Sequence, residues 1–493
     1  MFADRLSPKV SVSVVYVLAL FMTIMDTTIV NVALPQLGRD FGVPAAQVGT
    51  VVVGYLVSLA VFMPASGWLG DRFGTRRVFL AALVFFTAAS ALCGIAPGLS
   101  ALIVFRVLQG VGGGMLAPVG MAMLFRTFPP HERVRASRIL IVPTAFAPAI
   151  GPVLGGLLVT DLSWRWAFYV NVPIGIAGLT FAVLFLREQK QDEPGEFDLA
   201  GFVLAGAGLG SLMFALSEGP GHGWSSPEIV ACGAAGVVLL ALLVRVELRV
   251  AQPMLDLRLF TNRLFADTTL VIVLGTGAFL GSLFLVALFY QDGFRVSALQ
   301  SGLSTFPEAI GIMTGAQLSG RIYPRIGPRR LMMAGLIGVS IVLGLVGRVP
   351  FTASLWEMRG LMLALGLCMS QVFVPAQAAA FATISGASTG RASTMFNAGR
   401  QLSGAVGVAV LSTVISAVGV IHLVHGHPAP NARAYHLAFL TAAAVALFSA
   451  FLALRINDAD AAPSMRRPDR APSHAVVEDV AQIDDRRDPV LDR

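Results

Sequence analysis

Residues 67–78 read GWLGDRFGTRRV, and residues 320–331 repeat the pattern as GRIYPRIGPRRL. The two stretches share two glycines and three arginines at matching positions. The same offset places Arg106, in LIVFRVLQG, on Arg359, in LWEMRGLML. Because one offset joins two separate features, the sequence predicts a chain built from two homologous halves, an arrangement common in secondary transporters.

The composition is that of an integral membrane protein. Of 493 residues, 56% are hydrophobic and 13% are charged, and the mean hydropathy is +0.76, whereas a soluble domain carries about a quarter charged residues. Because roughly 20 apolar residues cross a bilayer core, we expect about fourteen transmembrane helices. The expected spans are 11–34, 47–68, 78–96, 99–124, 137–159, 165–186, 198–217, 227–247, 264–290, 299–320, 330–348, 353–381, 393–418 and 434–454.

The expected fold is therefore an all-α integral membrane protein, with two six-helix halves and two inserted helices. Arginines gather in alternate loops, which places those loops and both termini in the cytoplasm under the positive-inside rule. Since these arginines are spread over many loops and form no single face, the net charge of +7 does not indicate nucleic-acid binding. The expected domains are an N-terminal half (1–187), a linker with two inserted helices (188–262), a C-terminal half (263–455) and a disordered cytoplasmic tail (456–493).

One acid interrupts the first apolar run. Residues 14–35 read VVYVLALFMTIMDTTIVNVALP, in which Asp26 has no basic partner. A charge at membrane depth is costly, and burial disfavours the ionised form of a carboxyl group. We therefore expect Asp26 to take up and release a proton; the alternative is a buried aspartate that only hydrogen-bonds a neighbouring helix.

Arg106 lies several residues into another apolar run. A guanidinium cannot lose its charge in a protein, so it needs a carboxylate, carbonyl groups or water. Two interpretations stay open: a functional charge inside the helix bundle, which we favour, or a side chain that snorkels to the outer interface.

Six motifs together resemble one group of transporters. They are MDTTIVNVALP (25–35), GWLGDRFGTRRV (67–78), RVLQGVGGGMLAP (106–118), GPVLGGLL (151–158), WRWAFYVNVPIG (164–175) and NAGRQLSGAVGVA (397–409). In this order they resemble the fourteen-helix drug:proton antiporter branch of the major facilitator superfamily, the QacA/EmrB-like transporters. The resemblance covers both halves, although PTAFAPAI (143–150) has prolines where that branch usually has glycines.

The resemblance implies roles for particular residues. It implies proton coupling through Asp26 and Arg106, and a conformational latch on the cytoplasmic side at Asp71, Arg72, Gly74 and Arg77. It also implies close helix packing, of the kind that marks antiporters, at Gly151, Pro152, Gly155 and Gly156, because small residues let membrane helices approach. For the arginines of the latch motif, ordinary positive-inside charge remains an alternative.

Glu308 is a second acid within an apolar run, directly after Pro307, where the helix is expected to break. It is either an interfacial acid near the outer end or a carboxylate that faces a cavity and binds protons or substrate; the sequence favours neither. Glu308 lies outside the six motifs.

The function that follows is proton-coupled multidrug efflux of hydrophobic and cationic compounds by alternating access. The alternative is a dedicated exporter of one natural product, an antibiotic or a siderophore. Only Lys9 and Lys190 are lysines and neither follows a glycine, which excludes a phosphate-binding loop. We expect no enzyme activity, no cofactor, no metal site and no nucleic-acid partner. The expected partners are small-molecule substrates, protons and the lipid bilayer of the bacterial inner membrane; a periplasmic adaptor protein is left open.

Overall fold

The computed structural model describes residues 6–43, 45–190, 196–250, 253–419, 421–424 and 427–465. Nearly all of them are helical, as expected where a bilayer leaves the backbone no water to bond. The helices are α1 (Pro8–Phe41), α2 (Ala45–Phe62), α3 (Ala65–Phe73), α4 (Thr75–Gly94), α5 (Leu99–Thr127), α6 (Arg133–Asp161), α7 (Trp166–Tyr169), α8 (Asn171–Phe185), α9 (Leu199–His222), α10 (Pro227–Glu247), α11 (Arg263–Leu288), α12 (Ala298–Ile326), α13 (Pro328–Val346), α14 (Leu355–Ala380), α15 (Thr389–Val418), α16 (Ala432–Leu452) and α17 (Ala462–Met465). Two short strands, β1 (Ile421–Val424) and β2 (His427–Pro430), pair as an antiparallel hairpin.

The prediction of a helical membrane protein is confirmed. Within the described residues, 11 helices are long and apolar enough to cross a bilayer, and a twelfth span results if α2 and α3 are one helix bent by 54°. The bend lies at Pro64, whose ring prevents regular helical hydrogen bonding. The remaining expected spans, 137–159 and 299–320, fall on α6 and α12, which are each 29 residues long but less uniformly apolar. Fourteen spans are therefore compatible with the structure.

Several helices begin where a polar side chain caps the first turn. The Ser7 side chain accepts a hydrogen bond from Val10 N at the start of α1, and Asn262 does the same for Phe265 N at the start of α11. Such caps satisfy backbone N–H groups that the helix leaves unpaired.

The two expected halves each form their own set of contacts. In the first, α1 packs on α5 and α6, and α5 packs on α2 and α4; in the second, α14 packs on α12 and α13, and α11 packs on α15 and α16. The inserted helices α9 and α10 pair with each other, and α9 also contacts α2 and α15. This packing is compatible with the predicted domain boundaries, which stay a prediction.

The first ten residues of the predicted tail are packed onto the bundle, which corrects that part of the disorder prediction. Ile456 is buried, Asp458 Oδ1 accepts a hydrogen bond from Arg329 N at 2.9 Å, and the hydroxyls of Ser464 and Tyr323 are 2.7 Å apart. These polar anchors hold a segment that lacks an apolar period. Residues 466–493 lie outside the described residues, so disorder there stays a prediction.

Candidate functional site

Asp26 and Arg106 form a buried ion pair between α1 and α5. Arg106 Nη1 donates to Asp26 Oδ2 at 2.5 Å, and both side chains are 0% exposed. The snorkelling interpretation of Arg106 is therefore wrong. Each residue is the countercharge that the other requires at membrane depth.

Two amides complete the site. Gln109 Nε2 and Asn171 Nδ2 each donate to Asp26 Oδ1 at 2.8 Å. Gln109 Oε1 in turn accepts from Arg106 Nη1 at 2.7 Å, and Arg106 Nε donates to the Val51 carbonyl at 3.3 Å. The aspartate is thus held by three donors from two other helices, α5 and α8.

Sequence reasoning missed both amides. Gln109 lies one helical turn after Arg106, so the two side chains share a face of α5. Asn171 lies inside the quoted motif WRWAFYVNVPIG, where a polar residue in an apolar context was the available signal.

Tyr55 separates the ion pair from a central cavity. Its ring lies 4.2 Å from the Arg106 guanidinium carbon, close enough for a cation–π contact, and the same residue lines the cavity. Gly113 makes room for it: a Cβ there would lie 2.8 Å from the Tyr55 hydroxyl oxygen. Gly113 thus lets Tyr55 pack closely against α5, as small residues do between membrane helices.

The cavity lies between the two halves and has a volume of about 180 Å³. Helices α1, α2 and α5 contribute one wall, and α11, α14 and α15 contribute the other. The lining residues are Tyr16, Leu20, Thr23, Ile24, Thr27, Tyr55, Leu56, Leu59, Met63, Gly113, Ala117, Met121, Thr276, Leu280, Gln377, Asn397, Arg400 and Gln401. Both walls carry polar side chains, whereas most of the apolar ones belong to α1, α2 and α5. Apolar surface with a few polar groups is typical of small-molecule sites.

Asp71 lies at the arginine-rich end of the bundle, where it pairs with Arg126. Arg126 Nη2 donates to Asp71 Oδ1 at 2.6 Å, and Arg126 Nε donates to the Gly386 carbonyl of the other half at 3.2 Å. The Asp71 carboxylate also lies against the start of α15, where a Cβ on Gly390 would be 3.1 Å from it. The bridge to the second half therefore runs through Arg126, which the predicted latch did not include.

The other residues of the predicted latch form the turn between α3 and α4. Gly74 has a φ of +96°, which favours glycine. Glu188 accepts from the backbone N–H groups of Arg76 and Arg77, and its carboxylate lies 3.8 Å from Arg77 Nε. Arg72 is exposed. Of the four predicted latch residues, only Asp71 thus belongs to the contact with the second half.

More contacts close the same end. The Ser66 and Thr394 hydroxyls are 3.1 Å apart, and Ser393 Oγ donates to the Pro118 carbonyl at 2.7 Å. The rings of Phe125 and Phe381 stack with centroids 4.4 Å apart. Each of these pairs joins one half to the other, so this end of the central path is closed.

The expected packing glycines of α6 face α1 in part. A Cβ on Gly151 would collide with the Thr28 side chain, and one on Gly155 would lie 3.4 Å from Ile29 Cα. A Cβ on Gly156 would meet nothing within 4 Å. The side chain of Pro152 lies outside the described residues.

Glu308 is buried on α12, at 4% exposure, and is not part of the cavity wall. Among the described residues its carboxylate has no ion-pair partner. The expected break at Pro307 is wrong, because α12 continues through it to Ile326. Proline removes one backbone donor there, which membrane helices tolerate where neighbouring elements pack against them.

Comparisons with known proteins agree with this architecture. A family model described as Major Facilitator Superfamily matches residues 16–408 and 309–483. The multidrug resistance protein B homolog of Mycobacterium tuberculosis is 34% identical over 407 residues, which are 82% of this chain and 75% of that protein. The uncharacterized MFS-type transporter YhcA of Bacillus subtilis is 30% identical over 404 residues, which are 82% of this chain and 76% of that one. The human organic anion transporter MFSD10, at 18% identity, shares the fold with a TM-score of 0.66 over 91% of this chain and all of that one.

Proposed function

Because this chain belongs to the Major Facilitator Superfamily, a family of transporters and not of enzymes, we propose that it is a proton-coupled multidrug efflux transporter. The observation that carries this proposal is the ion pair of Asp26 and Arg106, sealed by Tyr55 from a cavity between two halves. The relative named for multidrug resistance supports the substrate class.

The proton is carried by Asp26. When the carboxylate accepts a proton it loses its charge, and its ionic attraction to Arg106 is lost with it. The Arg106 guanidinium keeps its charge and then holds its remaining contacts, the Val51 carbonyl and the Gln109 amide oxygen. Rearrangement of this network moves α1 against α5 and so links protonation to the walls of the cavity.

Transport follows by rocking of the halves. The described conformation is closed at the arginine-rich end, which the positive-inside rule assigns to the cytoplasm. Asp71 and Arg126 stabilise this state through the Gly386 carbonyl. Opening that end lets a substrate enter from the cytoplasm or the inner leaflet, and reclosing it releases the substrate outside. A proton returns inward, and one charge crossing 100 mV supplies about 2.3 kcal/mol.

The hydrophobic part of the predicted substrate class has a physical basis in the apolar cavity wall, with Leu20, Leu56, Leu59 and Leu280 among its residues. Binding of cationic substrates has no such physical basis in this conformation, because Asp26 lies behind Tyr55 and is already paired with Arg106. Glu308 has no place in the cavity wall, so we assign it to a secondary proton site. A dedicated exporter of one natural product remains the alternative function, and a periplasmic adaptor protein remains a candidate partner.

The test is transport in everted membrane vesicles. Acidifying the lumen should drive uptake of a hydrophobic fluorescent dye by the wild type, and Asp26→Asn should abolish it. Asp161→Asn is the matched control, since Asp161 is an exposed acid at the end of α6. Uptake that survives in Asp26→Asn at the wild-type rate would remove Asp26 from the proton path.

A further inference from the structure

Arg400 lies on α15 in the wall of the central cavity, half-buried. Its guanidinium lies 5.7 Å from the centroid of the Phe373 ring, and its Nε has no hydrogen-bond partner among the described residues. Within that same part of the chain no carboxylate pairs with it. Because an arginine keeps its proton in a protein, the charge of Arg400 stays without a countercharge in this part of the chain.

The cavity offers Arg400 no acidic neighbour. Among the described residues that line the cavity, Arg400 is the only one with a formal charge. Asp26, the acid behind Tyr55, is 0% exposed and already accepts from Arg106, Gln109 and Asn171. The wall that a substrate meets is therefore positive, which is unfavourable for a cation.

Two other residues of the cavity wall carry buried hydroxyls without a hydrogen-bond partner among the described residues, Thr276 Oγ1 and Tyr55 Oη. The hydroxyls of Thr276 and Tyr55 can donate to an anion, and the guanidinium supplies up to five N–H donors in a planar fork. Carboxylates and sulfonates match that fork, since both present paired oxygens with delocalised charge.

The opposite wall carries most of the apolar side chains of the cavity, beside the polar Tyr16, Thr23, Thr27 and Tyr55. Leu20, Leu56 and Leu59 on the first half lie across the cavity from the polar groups of α14 and α15. A molecule that fills both sides has a hydrophobic body and one anionic head. A cavity of about 180 Å³ accommodates such a body at the size of a small aromatic system.

We propose that Arg400 is a substrate-recognition residue and that this cavity selects hydrophobic organic anions. This inference rests on the proposed function, since it names the substrate class of the proposed transport site. It also replaces the cationic class that the sequence favoured.

The test uses two dyes that differ by one charged group. Anilinonaphthalene sulfonate carries an anionic head, and phenylnaphthylamine has a similar aromatic body without it. Saturable binding of each dye is measured by fluorescence on purified protein in nanodiscs, after subtraction of empty nanodiscs. The wild type should bind the sulfonate more tightly than the neutral dye. Arg400→Gln should weaken sulfonate binding by about tenfold to hundredfold, as for loss of charge-assisted hydrogen bonds, and leave binding of the neutral dye within about twofold.

Two further variants control the interpretation. Arg400→Lys keeps the charge and should retain part of the preference for the sulfonate. Arg359→Gln removes an arginine that stacks on Trp356 and lies outside the cavity wall, so it should change neither dye. Unchanged binding of the neutral dye in Arg400→Gln shows that the cavity is intact.

Several results would overturn the inference: equal affinity of the wild type for the two dyes, no saturable sulfonate binding, or a preference that persists in Arg400→Gln. These results leave the proposed function standing if the vesicles still show pH-driven, Asp26-dependent uptake of the neutral dye. If instead sulfonate binding depends on Arg400 but the vesicles show no such uptake, only the proposed function is contradicted.

Discussion

The two charges of the buried ion pair should contribute unequally to stability when they are removed one at a time. In Asp26→Asn, the Arg106 guanidinium stays charged and keeps a carbonyl, an amide oxygen and the rings of Tyr55 and Phe168, but no carboxylate in the described part of the chain. Leaving a buried charge without its partner costs about 3–5 kcal/mol. We expect a loss of unfolding free energy near this range.

Arg106→Gln should cost less, about 1–3 kcal/mol. The Asp26 carboxylate then keeps the Gln109 and Asn171 donors, and it can be neutralised by a proton, which the guanidinium cannot do. The double variant Asp26→Asn with Arg106→Gln has no buried charge at this site. The loss of unfolding free energy in the double variant should be about 2 kcal/mol smaller than the sum of the losses in the two single variants.

The measurement is unfolding in mixed micelles by sodium dodecyl sulfate titration, followed by tryptophan fluorescence, for the wild type, both single variants and the double variant. Asp161→Asn serves as the control for an exposed acid and should change stability by less than about 0.5 kcal/mol. Strictly additive costs would show that the two side chains do not interact energetically. If Asp26→Asn lost less unfolding free energy than Arg106→Gln, the argument that an unpaired Arg106 charge is costlier than an unpaired Asp26 charge would be refuted.

Three other perturbations test separate parts of the account. Gly151→Val should lower transport at least about tenfold, because the valine side chain would collide with α1. Gly156→Val on the same helix should retain transport, because a Cβ there meets nothing within 4 Å. Vesicle uptake at equal expression of the two variants is the measurement, and equal losses of uptake would contradict the prediction. Arg126→Gln should open the arginine-rich end, because it removes charge-assisted hydrogen bonds worth about 1.5–3 kcal/mol each. A cysteine placed at Thr394 should then react faster with a bulky thiol reagent. An unchanged labelling rate would show that Arg126 does not hold this end closed. Glu308→Gln should leave dye affinity within about twofold, because Glu308 is not in the cavity wall, and a larger change in dye binding would place its carboxylate in the substrate path.

The architecture was predictable from the sequence because its signals are strong and repeated. Apolar runs of bilayer length, the repeat of GWLGDRFGTRRV as GRIYPRIGPRRL, and alternating basic loops all led to the same fold. The importance of Asp26 was predictable for the same reason, since an acid at membrane depth stands out.

The partners of those residues were not predictable, because contacts between helices distant in the chain depend on rotation and register. Asp26 bonds Asn171 across 145 residues, and Arg126 bonds the Gly386 carbonyl across 260. Arg126 looked like one loop arginine among many until its contacts with Asp71 and the other half were seen. Arg400 lay inside a motif used only for resemblance, and its isolation is visible only once the cavity wall is assembled.

The expected break at Pro307 shows the opposite error. Proline removes one backbone donor, but a helix packed on both sides can keep its course through the missing bond. Local propensity was overridden here by the packing of α12 against α6 and α14.

The central claim is that Asp26 holds the proton that is exchanged for substrate, and substrate-induced proton release from purified protein tests it most directly. Phenylnaphthylamine is added to weakly buffered wild type and Asp26→Asn, since a neutral dye carries no charge of its own to displace protons. The account predicts saturable proton release from wild type that starts with a proton on Asp26, the state without the ion pair to Arg106, and none from the variant. Equal release from both would contradict it and move the exchanged proton to another acid.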